Sequence, residues 1–348
     1  MRIASLISAY LVKNYLRYFL TILAALVLFF VALEFLQSLK SLPPSANLQV
    51  LYLWYKSLYA LDVVMPITIV FAAIALVLYL VRSNEMVALF SVGISKKRLA
   101  RPLFFSALAL TLLYLLLHTT SFTYADEYAK NIKKYQTLSS STKDLFFKYD
   151  TSYVFFKELY PLQKVAKEVR VFETQDHVLR RVVLAKQARF EKNAWRMDGA
   201  LVLEPQDGRI VKRRQDLVLL EGFRPKILDS VYEGKTNISL PDVLYALRLF
   251  IQQGLSTQKL RAILYAHLFF PFFAPLMVIL ILAFAPASPR MANLGLFTFG
   301  AVLAALLVWG TLYLLVKLAF AQTIQPELAI VAPVLALAFA ALWAYKRF

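Results

Sequence analysis

Long apolar stretches alternate with polar connections in two groups of three. The first group runs Tyr18 to Leu36, Val63 to Leu80 and Leu103 to Phe122; the second runs Leu264 to Phe284, Leu294 to Leu315 and Leu328 to Tyr345. Each can cross about 30 Å of hydrocarbon as a helix, and only helices and closed barrels satisfy their own backbone groups there. Six transmembrane helices are expected. The first run exceeds the roughly 7–15 apolar residues of a secretory leader, and Phe35-Leu36-Gln37-Ser38 is not a small-residue cleavage site, so this span is expected to be retained.

The pattern changes between the third and fourth spans, about Thr123 to Leu260. Val169 to Glu173, Val182 to Phe190 and Leu201 to Glu204 are short β-rich runs with partial alternation, and Asp198-Gly199, Asp207-Gly208 and Arg224-Pro225 read as turns between strands. They predict a small all-β sandwich or jelly roll of roughly 100 residues. Helical spacing returns over Pro241 to Gln253, with Ser239 or Asn237 as N-cap and Gly254 as stop. The expected division is 1–122 for spans one to three, 123–260 for the β domain and its connecting helix, and 261–348 for spans four to six.

Composition agrees with the pattern. Of 348 residues 60% are hydrophobic and 17% charged, which excludes disordered and ordinary soluble classes. With no cysteine there is no disulfide, thiolate nucleophile or cysteine-ligated metal centre. The net charge, 39 minus 21 or +18, would suggest nucleic acid in a soluble chain; here it suggests orientation and anionic lipid instead. Arg2, Lys13, Arg17, Arg82, Lys96, Lys97, Arg98, Arg101, Arg290, Lys346 and Arg347 fall on one side of the six spans, with Glu85 the one acid among them. The positive-inside rule then puts both termini in the cytoplasm and exports the β domain, to the periplasm in a bacterium.

The connection between spans two and three is the most informative segment. In Arg82-Ser83-Asn84-Glu85-Met86-Val87-Ala88-Leu89-Phe90-Ser91-Val92-Gly93-Ile94-Ser95, Met86, Leu89, Phe90 and Ile94 follow helical spacing. Ser83 or Asn84 can cap and Gly93 can stop the helix, so a short amphipathic helix is expected over about 83–95. It can lie on lipid headgroups, or it can insert an apolar ridge with one carboxylate into a groove on a cytoplasmic partner.

Three helices, an exported β domain, three more helices and this stretch with its downstream Gly-Ile-Ser and Arg98-Leu99 resemble the LptF/LptG family, permease subunits of the bacterial lipopolysaccharide exporter. Ile238-Ser239-Leu240-Pro241-Asp242-Val243, Gly254-Leu255, Pro271 and Phe35 to Lys40 look more like the G-type subunit than the F-type. The resemblance implies an LptF/LptG heterodimer over two copies of the ATPase LptB, with LptC as a further subunit, and lipopolysaccharide rising through the β domains toward a periplasmic bridge containing LptA. By carry-over, Glu85 would meet the ATPase, Met86, Leu89 and Phe90 would fill its groove, and Gly93 would end the coupling helix.

Substrate contact is sought among Lys40, Lys56, Lys130, Lys133, Lys134, Lys259, Arg261 and Lys317, cations near the exported ends of the spans. Lys40, Arg261 and Lys317 each abut an apolar run and are the candidates for the phosphates of lipid A, with snorkelling to ordinary headgroups as the alternative. Glu34 is acidic where G-type relatives tend to be basic, and a cation from another subunit is one expected partner. Gly300 and Ala304, small residues four apart in span five, suggest a close helix contact, either with a partner subunit or within the chain. Pro66, Pro271, Pro275 and Pro333 predict kinks.

No catalytic reading is supported. Gly234-Lys235-Thr236 resembles the tail of a phosphate loop, but Asp229 stands where the pattern requires glycine. His118, His177 and His267 are scattered over different segments, so neither a metal ligand set nor a nucleophile constellation is expected, and Asp126-Glu127 and Asp242 read as solvated helix caps. No cofactor is expected. The competing functions are a membrane-anchored ligand-binding or sensor protein and a lipid-modifying enzyme; a transporter half would co-purify with a second permease and an ATPase, and a sensor would not.

Overall fold

The computed structural model describes residues 2–137, 141–175, 178–206, 209–225, 228, 236–288 and 293–347. The chain divides into two compact units, residues 1–42, 53–126 and 258–348 in one and residues 43–52 and 127–257 in the other.

The first unit is helical. Its elements are α1 (Arg2–Ser38), α2 (Ala46–Arg82, whose first turns belong to the other unit), α3 (Glu85–Ser91), α4 (Lys96–Leu117), α7 (Gln258–Leu268), α8 (Phe273–Phe284), α9 (Leu294–Phe320) and α10 (Ala332–Lys346). Six helical segments among the described residues are long and apolar enough to cross a membrane, the fourth combining α7 with α8. α1 and α2 have 37 residues each, on the order of 55 Å of helix. The apolar windows marked only their C-terminal halves, because a helix already nucleated continues through polar residues that the window excludes.

The prolines act unequally. Pro271 lies in a 3-10 turn, Phe270–Phe272, that separates α7 from α8, so span four is broken there. Pro275 sits in the first turn of α8, where a missing N–H costs little. Pro333 follows a single π turn, Glu327–Val331, at the start of the last span. The core of this unit gathers Leu11 and Tyr15 of α1, Ile69 to Val81 of α2, Leu99 to Ala107 of α4 and Phe273 to Leu282 of α8. Tyr15 satisfies its buried hydroxyl by donating to the Ile69 carbonyl at 2.8 Å.

The second unit carries β1 (Thr142–Tyr149), β2 (Ser152–Tyr160), β3 (Val165–Gln175), β4 (Val178–Glu191), β5 (Ala194–Gln206) and β6 (Arg209–Leu219), flanked by α5 (Ala125–Tyr135) and α6 (Leu240–Gln252). The strands form one antiparallel sheet in chain order, an up-and-down meander in which each strand pairs with its sequence neighbours. An inserted β domain between two helix triplets is thus the observed architecture. One face of the sheet buries Leu145, Phe147, Phe156, Val171, Val183, Trp195 and Val202 under Phe223, Leu228 and Leu249. The Trp195 indole donates to the Phe223 carbonyl at 2.7 Å.

One turn expectation needs revision. Asp198-Gly199 lies inside β5, where the register shifts between Met197 and Ala200. Gly199 takes φ +62° and its N–H donates to Asp216 Oδ1 at 2.7 Å, so it makes a bulge rather than a strand end. The β4–β5 turn is instead Lys192-Asn193, both at positive φ, a two-residue hairpin whose twist matches the strands. Asp207-Gly208 falls outside the described residues. α6 starts on Ser239, whose hydroxyl accepts from the Asp242 N–H, and Gly254 follows it at φ +63°.

Candidate functional site

α3 is built differently from its sequence expectation. Neither Ser83 nor Asn84 caps it: the Ser83 hydroxyl donates back to the Tyr79 carbonyl at 2.9 Å, and Asn84 turns the chain at φ +59° without a side-chain bond. Gly93 does end the segment. At φ +81° its N–H donates to the Phe90 carbonyl and that of Ile94 to Leu89, a closure that favours glycine.

Met86, Leu89 and Phe90 share a face, as their spacing requires, but that face is turned inward. Met86 is fully buried and Leu89 and Phe90 are half-buried against the core of α3's own unit. Burying them there removes apolar area from water without any partner. Met86 is thus covered within the unit, while Leu89 and Phe90 keep part of their surface exposed. The exposed face consists of Val87 (40% exposed), Ala88, Ser91 and Val92 (72%). Glu85 is half-buried and accepts a 2.8 Å hydrogen bond from the Tyr10 hydroxyl of α1. Ser95 then caps α4, and the Lys96 ammonium donates to the carbonyls of Ala283 and Ala285 at 3.3 and 3.0 Å. A cation at the carbonyl end of α8 joins the exit of the α3 segment to span four.

The cations separate by partner. Lys56 is buried between Glu34 at 3.6 Å and Asp126 at 3.1 Å. Glu34 therefore has its cation within the same chain, and Asp126 is a buried ion-pair partner, not a solvated cap. Arg261 is held by Glu327 at 2.7 Å, and its Nε is buried without a hydrogen-bond partner among the described residues. Lys40, just after α1, is exposed with no ion pair among the described residues. Lys317 is exposed and lies 5.0 Å from the Tyr313 ring and 5.8 Å from that of Phe320. Gly300 and Ala304 line an apolar cavity of about 400 Å³ with Met277, Ile281, Phe284 and Leu337; a Cβ on Gly300 would meet nothing within 4 Å.

A partly buried polar cluster was not foreseen. The Tyr114 hydroxyl donates to Asp62 Oδ1 at 2.8 Å, His118 Nε2 lies 2.9 Å from the same oxygen, and the His267 ring sits 4.5 Å from that of His118. Two of the histidines expected to be scattered thus meet, although 149 positions separate them (267 minus 118). The available signal was a lone carboxylate beside one apolar window and a histidine inside each of two others, each costly in lipid unless partnered. His177 lies outside the described residues, and among those described no group of three or more His, Cys, Asp or Glu has metal-holding geometry.

Two triplets of apolar helices around an inserted antiparallel β domain, with a short helix in the second connection, define a polytopic membrane permease. Residues 9–347 match the lipopolysaccharide export system permease family LptF/LptG, and the chain belongs to that family. No curated protein matches the chain. Membership makes it a multi-pass inner-membrane transport subunit, and implies an ABC transporter system with a partner permease and an ATPase.

Proposed function

We propose that this chain is one half of the permease that takes lipopolysaccharide from the outer leaflet of the inner membrane and passes it to a periplasmic bridge. The other half is a second homologous permease, completing an LptF/LptG pair; an LptB dimer hydrolyses the ATP, and LptC and LptA complete the route. Both termini and α3 lie in the cytoplasm, and the β domain in the periplasm. In this reading 1–122, 123–260 and 261–348 are the working divisions.

The observation carrying the mechanism is the exposed face of α3. Because Met86, Leu89 and Phe90 anchor the helix, Val87, Ala88, Ser91 and Val92 are presented to the ATPase. Glu85, oriented by Tyr10, can pair with an arginine on it. Lys96 ties the following turn to α8, so a push on α3 reaches span four. Lys40 and Lys317 bind the lipid phosphates, while Arg261 does so by sharing its guanidinium with Glu327. Gly300 and Ala304 offer the seam to the partner permease.

Detergent extraction of the tagged chain from its own membranes tests this directly. A second, homologous permease and a soluble ATPase are expected in the same complex; recovery of the chain alone, at wild-type yield and under conditions that preserve such complexes, would refute the proposal.

A further inference from the structure

We propose that Asp62, His118 and His267 form a binding site for a single proton inside the helical unit. The site joins three elements: α2 through Asp62, the end of α4 through Tyr114 and His118, and α7 through His267. Among the described residues Asp62 has no lysine or arginine partner, and its carboxylate oxygen is bound only by the Tyr114 hydroxyl and the His118 ring. A carboxylate among apolar helices is costly while it stays uncompensated. An imidazolium beside it removes that cost.

The geometry limits uptake to one proton. His118 is 3% exposed, its Nε2 is engaged with Asp62, and its Nδ1 is buried with no hydrogen-bond partner among the described residues. His267 directs Nδ1 to the Ile263 carbonyl at 2.8 Å, leaving Nε2 as its remaining basic nitrogen. A proton from water therefore adds at His118 Nδ1 or His267 Nε2, and the cluster goes from net charge −1 to 0. A second would place two cations in rings 4.5 Å apart against one carboxylate, where repulsion opposes it. Among the described residues, the other groups facing the pair are Tyr114 of α4, the Phe122 ring at 5.8 Å and, one turn before Asp62, Tyr59. None of these carries positive charge. Because His267 immediately precedes the break between α7 and α8, the filled, neutral cluster fastens α2 and α4 to the jointed span, and a movement parting α7 from α4 is linked to proton release. This inference does not depend on the transport reading.

The chain has three histidines, so His177→Gln leaves only this pair visible. Full-length protein carrying 15N-histidine in lipid nanodiscs, followed between about pH 5 and 8, should show one imidazolium per chain distributed over the two rings. Asp62→Asn should abolish that signal over the same range. Two independent imidazolium rings, no imidazolium at any pH, or a signal unchanged by Asp62→Asn would overturn the proposal. Should Asp62→Asn fail to fold, the count in the Asp62-containing protein decides alone.

Discussion

At Lys56 one ammonium is shared by two carboxylates from elsewhere in the helical unit, Glu34 on α1 and Asp126 at the start of α5. Removing it deprives the buried Asp126 and the half-buried Glu34 of their shared cation, a loss of about 3–5 kcal/mol for a broken buried pair. Lys56→Met is expected to lower the melting temperature of the detergent-solubilised protein clearly, and adding Asp126→Asn to recover part of the loss. An unchanged melting temperature would contradict the ion-pair account. For the substrate, Lys40→Glu and Lys317→Glu should reduce photocrosslinking to lipopolysaccharide several-fold. Each reversal places like charge where exposed cations are proposed to meet phosphate, and wild-type crosslinking would remove that role. Residue identity was legible at this scale, and residue environment was not. Spacing placed Met86, Leu89 and Phe90 on one face correctly, but periodicity says only that residues share a face; what covers it depends on neighbours remote in sequence. The same gap hid the partners of Glu34 and the meeting of His118 with His267.

Among the elements, the turn after α3 depends on Gly93, whose φ of +81° is poorly accessible to β-branched residues although its surroundings are open. Gly93→Val should cost about 1–3 kcal/mol locally and tilt α3. The measurable result is weaker capture of the ATPase at normal membrane insertion, with Gly93→Asn milder because asparagine tolerates this conformation better. Equal capture by all three forms would show that the turn does not orient the helix. Of the strands, β3, β4 and β5 were readable from β-rich runs, whereas β1, β2 and β6 were not identified. β6 reads as polar because Arg209, Lys212, Arg213 and Arg214 are all exposed, so its strand character comes from pairing with β5 rather than from a buried face. Asp198-Gly199 resembles a turn for a physical reason. The left-handed glycine that makes a tight turn also makes a bulge, and only the partner strand distinguishes them.

For the whole molecule, two groups of three spans and an inserted β domain were legible because hydrocarbon thickness imposes a length and an apolar content that few other structures require. The helix neighbours within the bundle carry no such signature. The central claim is that α3 passes force from an ATPase through its outward face while its inward face holds it to the bundle. The chain contains no cysteine, so single cysteines report without background. Val87→Cys and Val92→Cys should crosslink to a cysteine-bearing ATPase in membranes, with efficiency changing when nucleotide is trapped, while Met86→Cys should remain unreactive. Crosslinking from Met86→Cys with none from Val87→Cys or Val92→Cys would contradict the account.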